Sequence, residues 1–290
     1  MVSPASADPA PSELVVMSED EFAAVRLEEG ATVVEHKGRF WCQTYATGFF
    51  APIHQLARFH SSEIQRPTWQ CWGYRAALVP QESAEANGAI PVHVMDDLPA
   101  FSETTFDESR RRDLRKCRRQ VEIRRILDPE PFLRDGYGVY RSSQERAPFG
   151  RTIDETNYRA RMTARAPDRR RLLIGGFIDD RLGGYLESFA LDGILYGREL
   201  YVHSDVLHTG IATGLYFDTI NIAVRAGTIS TICLGPEILG KPGLGWFKRG
   251  MGFPVVAVPA RVQIPRPIRV FMRVRRPSDY HRITGGGPPS

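Results

Sequence analysis

Two runs near the middle of the chain alternate apolar and polar residues with a period of two, Gly183–Leu191 and Ile194–Ser204. Asp192-Gly193 sits between them and predicts a hairpin, because both central residues of a type I′ turn need positive φ. After Leu207-His208-Thr209-Gly210-Ile211-Ala212 the period changes to 3.6, which predicts a helix stopped by Gly227. A strand that feeds a helix through a glycine turn leaves backbone N–H groups and the positive end of the helix dipole at one spot. That makes the turn a candidate anion site.

The same periodicities place the other elements. Ser18-Glu19-Asp20-Glu21 is a capping box that opens a helix through Glu28. Thr32–His36 and Arg39–Thr44 form a hairpin that turns at Lys37-Gly38, and Pro52–Ile64 reads as helix or loop. Thr68–Leu78 and Ile90–Met95 read as strands, with Trp72, Tyr74, His54 and His60 in a buried aromatic region. Thr105-Phe106-Asp107-Glu108 opens a helix whose apolar stripe is Leu114, Cys117 and Val121. Next come a strand at Val121–Leu127, a helix at Glu130–Ser143 and a loop at Gln144–Arg151. Thr152-Ile153-Asp154-Glu155 then opens a helix to Arg165, and Leu172–Ile178 is a strand. Beyond Gly227 the pattern predicts a short apolar strand at Ile229–Leu234, a short helix at Gly243–Gly250, and strands at Val255–Val258 and Pro267–Val274.

Composition changes this picture little. The 290 residues are 42% hydrophobic and 25% charged with a net charge of +4, ordinary soluble usage that permits an anionic partner. Cys42, Cys71, Cys117 and Cys233 are scattered, which indicates neither a disulfide framework nor a metal site. The absence of a signal pattern or long apolar run points to a cytoplasmic protein without a membrane partner. Charge is concentrated in one place. Arg110, Arg111, Arg112, Arg115, Lys116, Arg118 and Arg119 crowd one predicted helix with only Asp113 among them. Such cations repel one another unless anions are near, so a phosphate-bearing partner and a solvated face both remain open.

From residue 121 onward the order of elements resembles the GNAT N-acyltransferase fold. The family's pyrophosphate loop, Arg/Gln-x-x-Gly-x-Gly/Ala, looks like Leu207–Ala212, with Leu207 where the basic residue normally stands. Its aromatic-aromatic-Lys-x-x-Gly-Phe ending looks like Trp246–Phe253 with one extra residue, and Phe247 occupies the place of a general-acid tyrosine. The Arg-rich helix before the first strand and the ending Leu244-Gly245-Trp246-Phe247-Lys248 are similar to the FemAB-related branch. The resemblance implies an α+β protein: a GNAT-like mixed, mostly antiparallel central sheet flanked by helices. Residues 101–276 would be the acyltransferase domain, 14–100 a smaller α+β region, and 1–13 and 277–290 tails.

It also implies chemistry. Acyl-CoA would be the donor, its phosphates on His208, Thr209, Gly210, Ile211, Ala212 and Thr213; aminoacyl-tRNA on the Arg110–Arg119 helix is the alternative, and no metal is required. The strands at Ile194–Ser204 and Ile229–Leu234 should run parallel and splay apart, forming the donor slot. Alternation puts Gly197, Glu199, Tyr201 and His203 on one face, with Glu199 as general base, Tyr201 and His203 assisting, and Glu187 in reserve. Lys248, if it points inward from its short helix, would support the oxyanion or hold the donor phosphate. Tyr137, Arg146 and Phe149 would select the acceptor, a primary amine of a small molecule or peptide. A non-catalytic binding protein with this fold is the reading from another class.

Overall fold

The structure, a computed structural model, describes residues 14–147 and 152–286. In chain order the first elements are β1 (Val16–Met17), α1 (Glu19–Glu28), β2 (Val33–His36), β3 (Arg39–Gln43), β4 (Phe49–Pro52), β5 (Arg58–Phe59), β6 (Gly73–Leu78) and β7 (Gly88–Met95). Then come α2 (Glu108–Gln120), β8 (Glu122–Arg125), α3 (Tyr137–Arg146), α4 (Glu155–Arg165), β9 (Leu172–Ile178), β10 (Arg181–Leu191), β11 (Ile194–Val202) and α5 (Ile211–Ala226). Last are β12 (Thr231–Pro236), α6 (Pro242–Gly250), β13 (Val255–Gln263), α7 (Arg266–Arg275) and α8 (Pro277–Thr284). These elements form two compact units, one from residues 14–16, 95–147, 152–233 and 250–252, the other from 17–94, 234–249 and 253–286.

The unit that contains residues 17–94 opens with the expected capping box. Ser18 Oγ accepts from the Glu21 N–H at 3.2 Å, and the Glu21 carboxylate accepts from the Ser18 N–H at 2.9 Å. The β2–β3 hairpin turns at Lys37 and Gly38, both at positive φ. β4 pairs β3 antiparallel and β6 parallel, and β13 lies antiparallel between β6 and β7. The aromatic region is a core in part: Trp41, Phe50, Phe59 and Leu78 are buried together with Tyr74 packed against them, and His54 is buried. Trp72 rests on Phe49 at 5.4 Å, but His60 is exposed, its ring Nδ1 2.8 Å from Glu82. Residues 52–64 hold no helix, only the two-residue strand β5.

The expected strand at Pro267–Val274 is instead helix α7. Its β-branched and aromatic residues suggested a strand, but Pro267 sits in the first turn, where a fixed φ and a missing N–H cost a helix nothing. Residues 277–284, expected in a tail, form helix α8; its Ile283 is buried, and the carbonyl of Ile283 accepts from buried Arg75 at 3.3 Å.

The other unit is organised on the sheet β12-β11-β10-β9-β8. The tight turns fall where Asp179-Asp180 and Asp192-Gly193 take positive φ. β8 through β11 pair antiparallel, and β11 pairs β12 in parallel. That parallel pairing runs only from Ile194↔Thr231 to Tyr196↔Cys233, while β11 continues to Val202. From Gly197 onward the outer edge of β11 has no strand beside it among the described residues, the parting that the sequence predicts. Ile211 at the start of α5 fits against Gly176 and Gly184 on one face of the sheet. On the opposite face Phe132, Tyr140, Tyr158 and Met162, from α3, α4 and the turn before them, bury Tyr185.

The helix starts at Thr105 and Thr152 shift by two residues. Asp107 and Asp154 are the N-caps, and each accepts the N–H three residues on at 2.8 Å. Aspartate caps a helix at least as well as threonine and adds charge at the positive dipole end.

Candidate functional site

The glycine turn is closed. His203–Thr209 winds into a 3₁₀ turn, Gly210 takes φ +78°, and α5 begins at Ile211. The N–H groups of Gly210, Ile211 and Thr213 donate to Leu207 O, Thr209 Oγ1 and Gly210 O at 3.3, 3.3 and 3.0 Å. Thr209, Ile211 and Thr213 are buried, and a Cβ on Gly210 would lie 2.2 Å from the Asp113 carbonyl oxygen of α2. The backbone of α2 lying on Gly210 is itself a reason for glycine there, and three of the N–H groups in the cradle expected over His208–Thr213 are bonded within the turn. His208 is exposed, and its ring Nδ1 bonds the Asp205 carbonyl at 2.9 Å; Ala212 is half-buried at the start of α5.

Four of the seven cations of helix α2 pair with three carboxylates, Glu103, Glu108 and Asp113. Arg110 and Lys116 reach Asp113 at 3.0 and 3.9 Å, Arg112 reaches Glu108 at 3.1 Å, and Arg118 reaches Glu103 at 2.9 Å. Arg111 donates to the Phe106 carbonyl at 3.1 Å. Arg115 and Arg119, one turn apart on the exposed side, have no acidic partner among the described residues.

The chemistry gathers on the β10–β11 hairpin. The register shifts between Glu187 and Ser188, so Arg198 bulges out of the ladder and Glu187 stands opposite Glu199, with Tyr185 opposite Tyr201. Two carboxylates facing each other across strands repel, and arginines from α4 and beyond resolve the conflict. Arg165 bridges them, 2.7 Å from Glu187 and 3.6 Å from Glu199. One Arg161 nitrogen lies 2.6 Å from both Glu199 oxygens, Arg171 binds Glu187, and Arg198 approaches Glu187 to 3.8 Å. Arg171 also meets Asp168 at 3.4 Å. Burial pushes the Glu187 carboxyl upward, but Arg198, Arg165 and Arg171 outweigh it and hold the group below the usual range.

This geometry revises the assignment of Glu199 as general base. Both its oxygens accept from one Arg161 nitrogen, and a cationic partner opposes the uptake of a proton by a carboxylate. Arg161, Arg165, Arg171 and Arg198 thus surround Glu187 and Glu199, and Asp168 at the edge pairs with Arg170 at 2.8 Å as well as with Arg171.

Tyr201 borders the cluster, half-buried against Tyr140 and Tyr185 with ring centroids at 5.2 and 5.3 Å. Burial and the Glu199 charge push its phenol well above its ordinary range, so it remains a donor. Its hydroxyl has no hydrogen-bond partner among the described residues. The neighbouring pair Tyr158–Tyr185 is joined hydroxyl to hydroxyl at 3.0 Å.

The remaining expected residues are placed elsewhere. His203 turns into the 3₁₀ turn, where its Nδ1 accepts from the Asp205 N–H at 3.3 Å, away from Glu199. Arg146 donates to Val202 O and Ser204 Oγ at 3.1 and 2.8 Å, tying α3 to the end of β11 rather than reading an acceptor. Tyr137 stacks on Tyr140 and packs against Tyr158 in the core. Phe149 lies outside the described residues. Lys248, in the other unit, is buried and donates to the Leu234 carbonyl at 2.6 Å, so it does point inward.

The sheet, the parted strands and the flanking helices share their fold with solved structures of other proteins. Among solved structures, the C-terminal domain of a protein assigned as a lysylphosphatidylglycerol synthetase from Agrobacterium fabrum is similar at TM-score 0.58 and 11% identity, over 93% of this chain and 94% of that one. L-PGS from Bacillus licheniformis gives 0.57 and 9% over 96% and 94%, and FemX gives 0.58 and 9% over 89% and 99%. At these identities the likeness is one of fold. No protein-family model and no curated protein matches the sequence. No helix among the described residues is long and apolar enough to cross a membrane.

Proposed function

We propose that this chain is an aminoacyl transferase that takes its acyl group from an aminoacyl ester on tRNA and delivers it to a primary amine of a small molecule or peptide. The closed turn at Gly210 carries the choice of donor. A CoA pyrophosphate needs free N–H groups at that helix start, and here those of Gly210, Ile211 and Thr213 are bonded internally beneath α2. Arg115 and Arg119, exposed on the same helix, offer cations to a polyphosphate strand instead. The names of the similar structures, FemX and lysylphosphatidylglycerol synthetase, accord with aminoacyl transfer. Transfer from acyl-CoA is the second reading and rests on the retained Gly210 and Ala212.

In the reaction the acceptor nitrogen attacks the ester carbonyl, the C–N bond forms, the ester C–O bond breaks, and the amine proton ends on the released ribose hydroxyl. Tyr201 donates its O–H to the oxyanion that develops, and the guanidiniums of Arg161 and Arg198 stabilise the same charge. Glu187 and Glu199 fix those guanidiniums in place.

The test is direct. The protein is incubated with tRNA charged with labelled amino acids and an amine acceptor, and in parallel with labelled acetyl-CoA. Label should pass from tRNA to the acceptor and not from acetyl-CoA. In Arg115→Gln/Arg119→Gln the slope of log K against log salt for tRNA should flatten by about 0.7 for each phosphate that is no longer neutralised. Efficient acetyl transfer from acetyl-CoA alone would sink this reading. Tyr201→Phe keeps the ring and removes one donor, so kcat should fall about 10²-fold or more with little change in KM. Full turnover in that variant would remove Tyr201 from the reaction.

A further inference from the structure

Helix α7 carries an exposed apolar ridge that no part of the fold explains. Ile268 and Met272, one turn apart, face inward, and Met272 is buried. Pro267, Val270, Phe271 and Val274, at i, i+3, i+4 and i+7, form a second apolar stripe that faces solvent. Val270, Phe271 and Val274 are 64%, 56% and 63% exposed. Scattered exposed apolar residues need no explanation, but three large ones in register on one short helix do.

The flanks of the ridge are cationic. Arg266, Arg269 and Arg273 run along one side and Arg275 stands on the other, all exposed. None of these four has an ion-pair partner among the described residues. Helix α7 contains no acidic residue, and the nearby Asp279 is shared by Arg276 at 3.7 Å and Arg282 at 2.7 Å.

We propose that α7 docks the protein onto an anionic lipid surface, its ridge entering the headgroup–acyl boundary and its arginines meeting the lipid charges. The charge pattern selects this occupant. A second copy seated on the same ridge in a two-fold contact would bring arginine against arginine. A nucleic acid would use the cations but leave the Val270–Phe271–Val274 ridge wet. A bilayer interface satisfies both parts of the face, and a helix lying in that plane need not be long enough to span. The proposal is independent of donor chemistry and comes from a part of the fold remote in sequence from the β10–β11 cluster.

Cosedimentation with vesicles tests it, with intact protein and no substrate. The protein should pellet with vesicles of phosphatidylcholine mixed with phosphatidylserine, remain in solution with phosphatidylcholine alone, and be released by salt. Phe271→Ser/Val274→Ser and, separately, Arg269→Gln/Arg273→Gln should each lower the partition coefficient about tenfold or more. These side chains are exposed, so thermal midpoints should match the parent and exclude unfolding as the cause. Failure to pellet with the anionic vesicles, or equal binding by parent and variants, overturns the proposal. So does a lipid-free dimer in sedimentation equilibrium that Phe271→Ser/Val274→Ser abolishes, since a second copy would then cover the ridge.

Discussion

Glu187→Gln should lower the unfolding free energy by about 3–5 kcal/mol, the cost of removing one partner from a buried ion cluster. Glutamine keeps the shape of the side chain but leaves Arg165 and Arg171, both buried, facing a neutral amide. Denaturant unfolding of parent and variant measures the difference directly. The sign with pH follows from the depressed carboxyl. Its contribution is fully present above the unfolded-state value near 4.3 and fades as pH falls through the lower folded-state value. The gap between parent and variant should therefore close in acid and persist at neutral pH. Arg171→Met in the Glu187→Gln background should cost less than in the parent, because the two side chains belong to one network. A loss below about 1 kcal/mol for Glu187→Gln would mean that water already screens the cluster.

Gly210→Ala should be nearly as damaging for a different reason. At φ +78° any side chain is strained, and here the new methyl would meet the Asp113 backbone at 2.2 Å. Left-handed strain and overpacking together predict a loss of about 2–5 kcal/mol. Gly227 provides the control: it has φ +67° at the other end of α5, with nothing within 4 Å of an added methyl. Gly227→Ala should show only the backbone cost, about 1–2 kcal/mol, so the excess at Gly210 isolates the contact with α2. Amide exchange over residues 108–120 should quicken in Gly210→Ala and not in Gly227→Ala. If acetyl-CoA affinity vanishes in Gly210→Ala while stability is unchanged, the turn is a phosphate cradle after all.

Local signals in the sequence were legible because they depend on neighbours. Asp192-Gly193, Gly227 and the switch from period two to 3.6 located β10, β11 and α5 to within two residues or so. The parting of β11 from β12 followed from the family motifs. The arginine cluster was not legible. Arg161 and Arg165 sit one turn apart on α4, an available hint, but the bulge at Arg198 that brings Glu187 opposite Glu199 has no sequence signature. The turn at Gly210 announced that glycine was needed; only the tertiary packing of α2 revealed a reason for it. Helix α7 misled because Val270, Phe271 and Val274 are strand-favouring residues, and propensity spoke louder than their spacing.

The close seating of α2 on α5 also leaves a natural chemical clock in the chain. Gly214, one turn beyond Gly210, admits the Cys117 sulfur to a place where an added methyl would lie 2.2 Å from it. Burial, with the charge of Asp218 adding to it, pushes that thiol up to about 12. A thiol so shielded is inert to alkylating reagents while the two helices stay together and reactive once they part. The rate at which Cys117 is alkylated in the folded protein thus reads how often the arginine helix lifts from the turn, with no probe introduced.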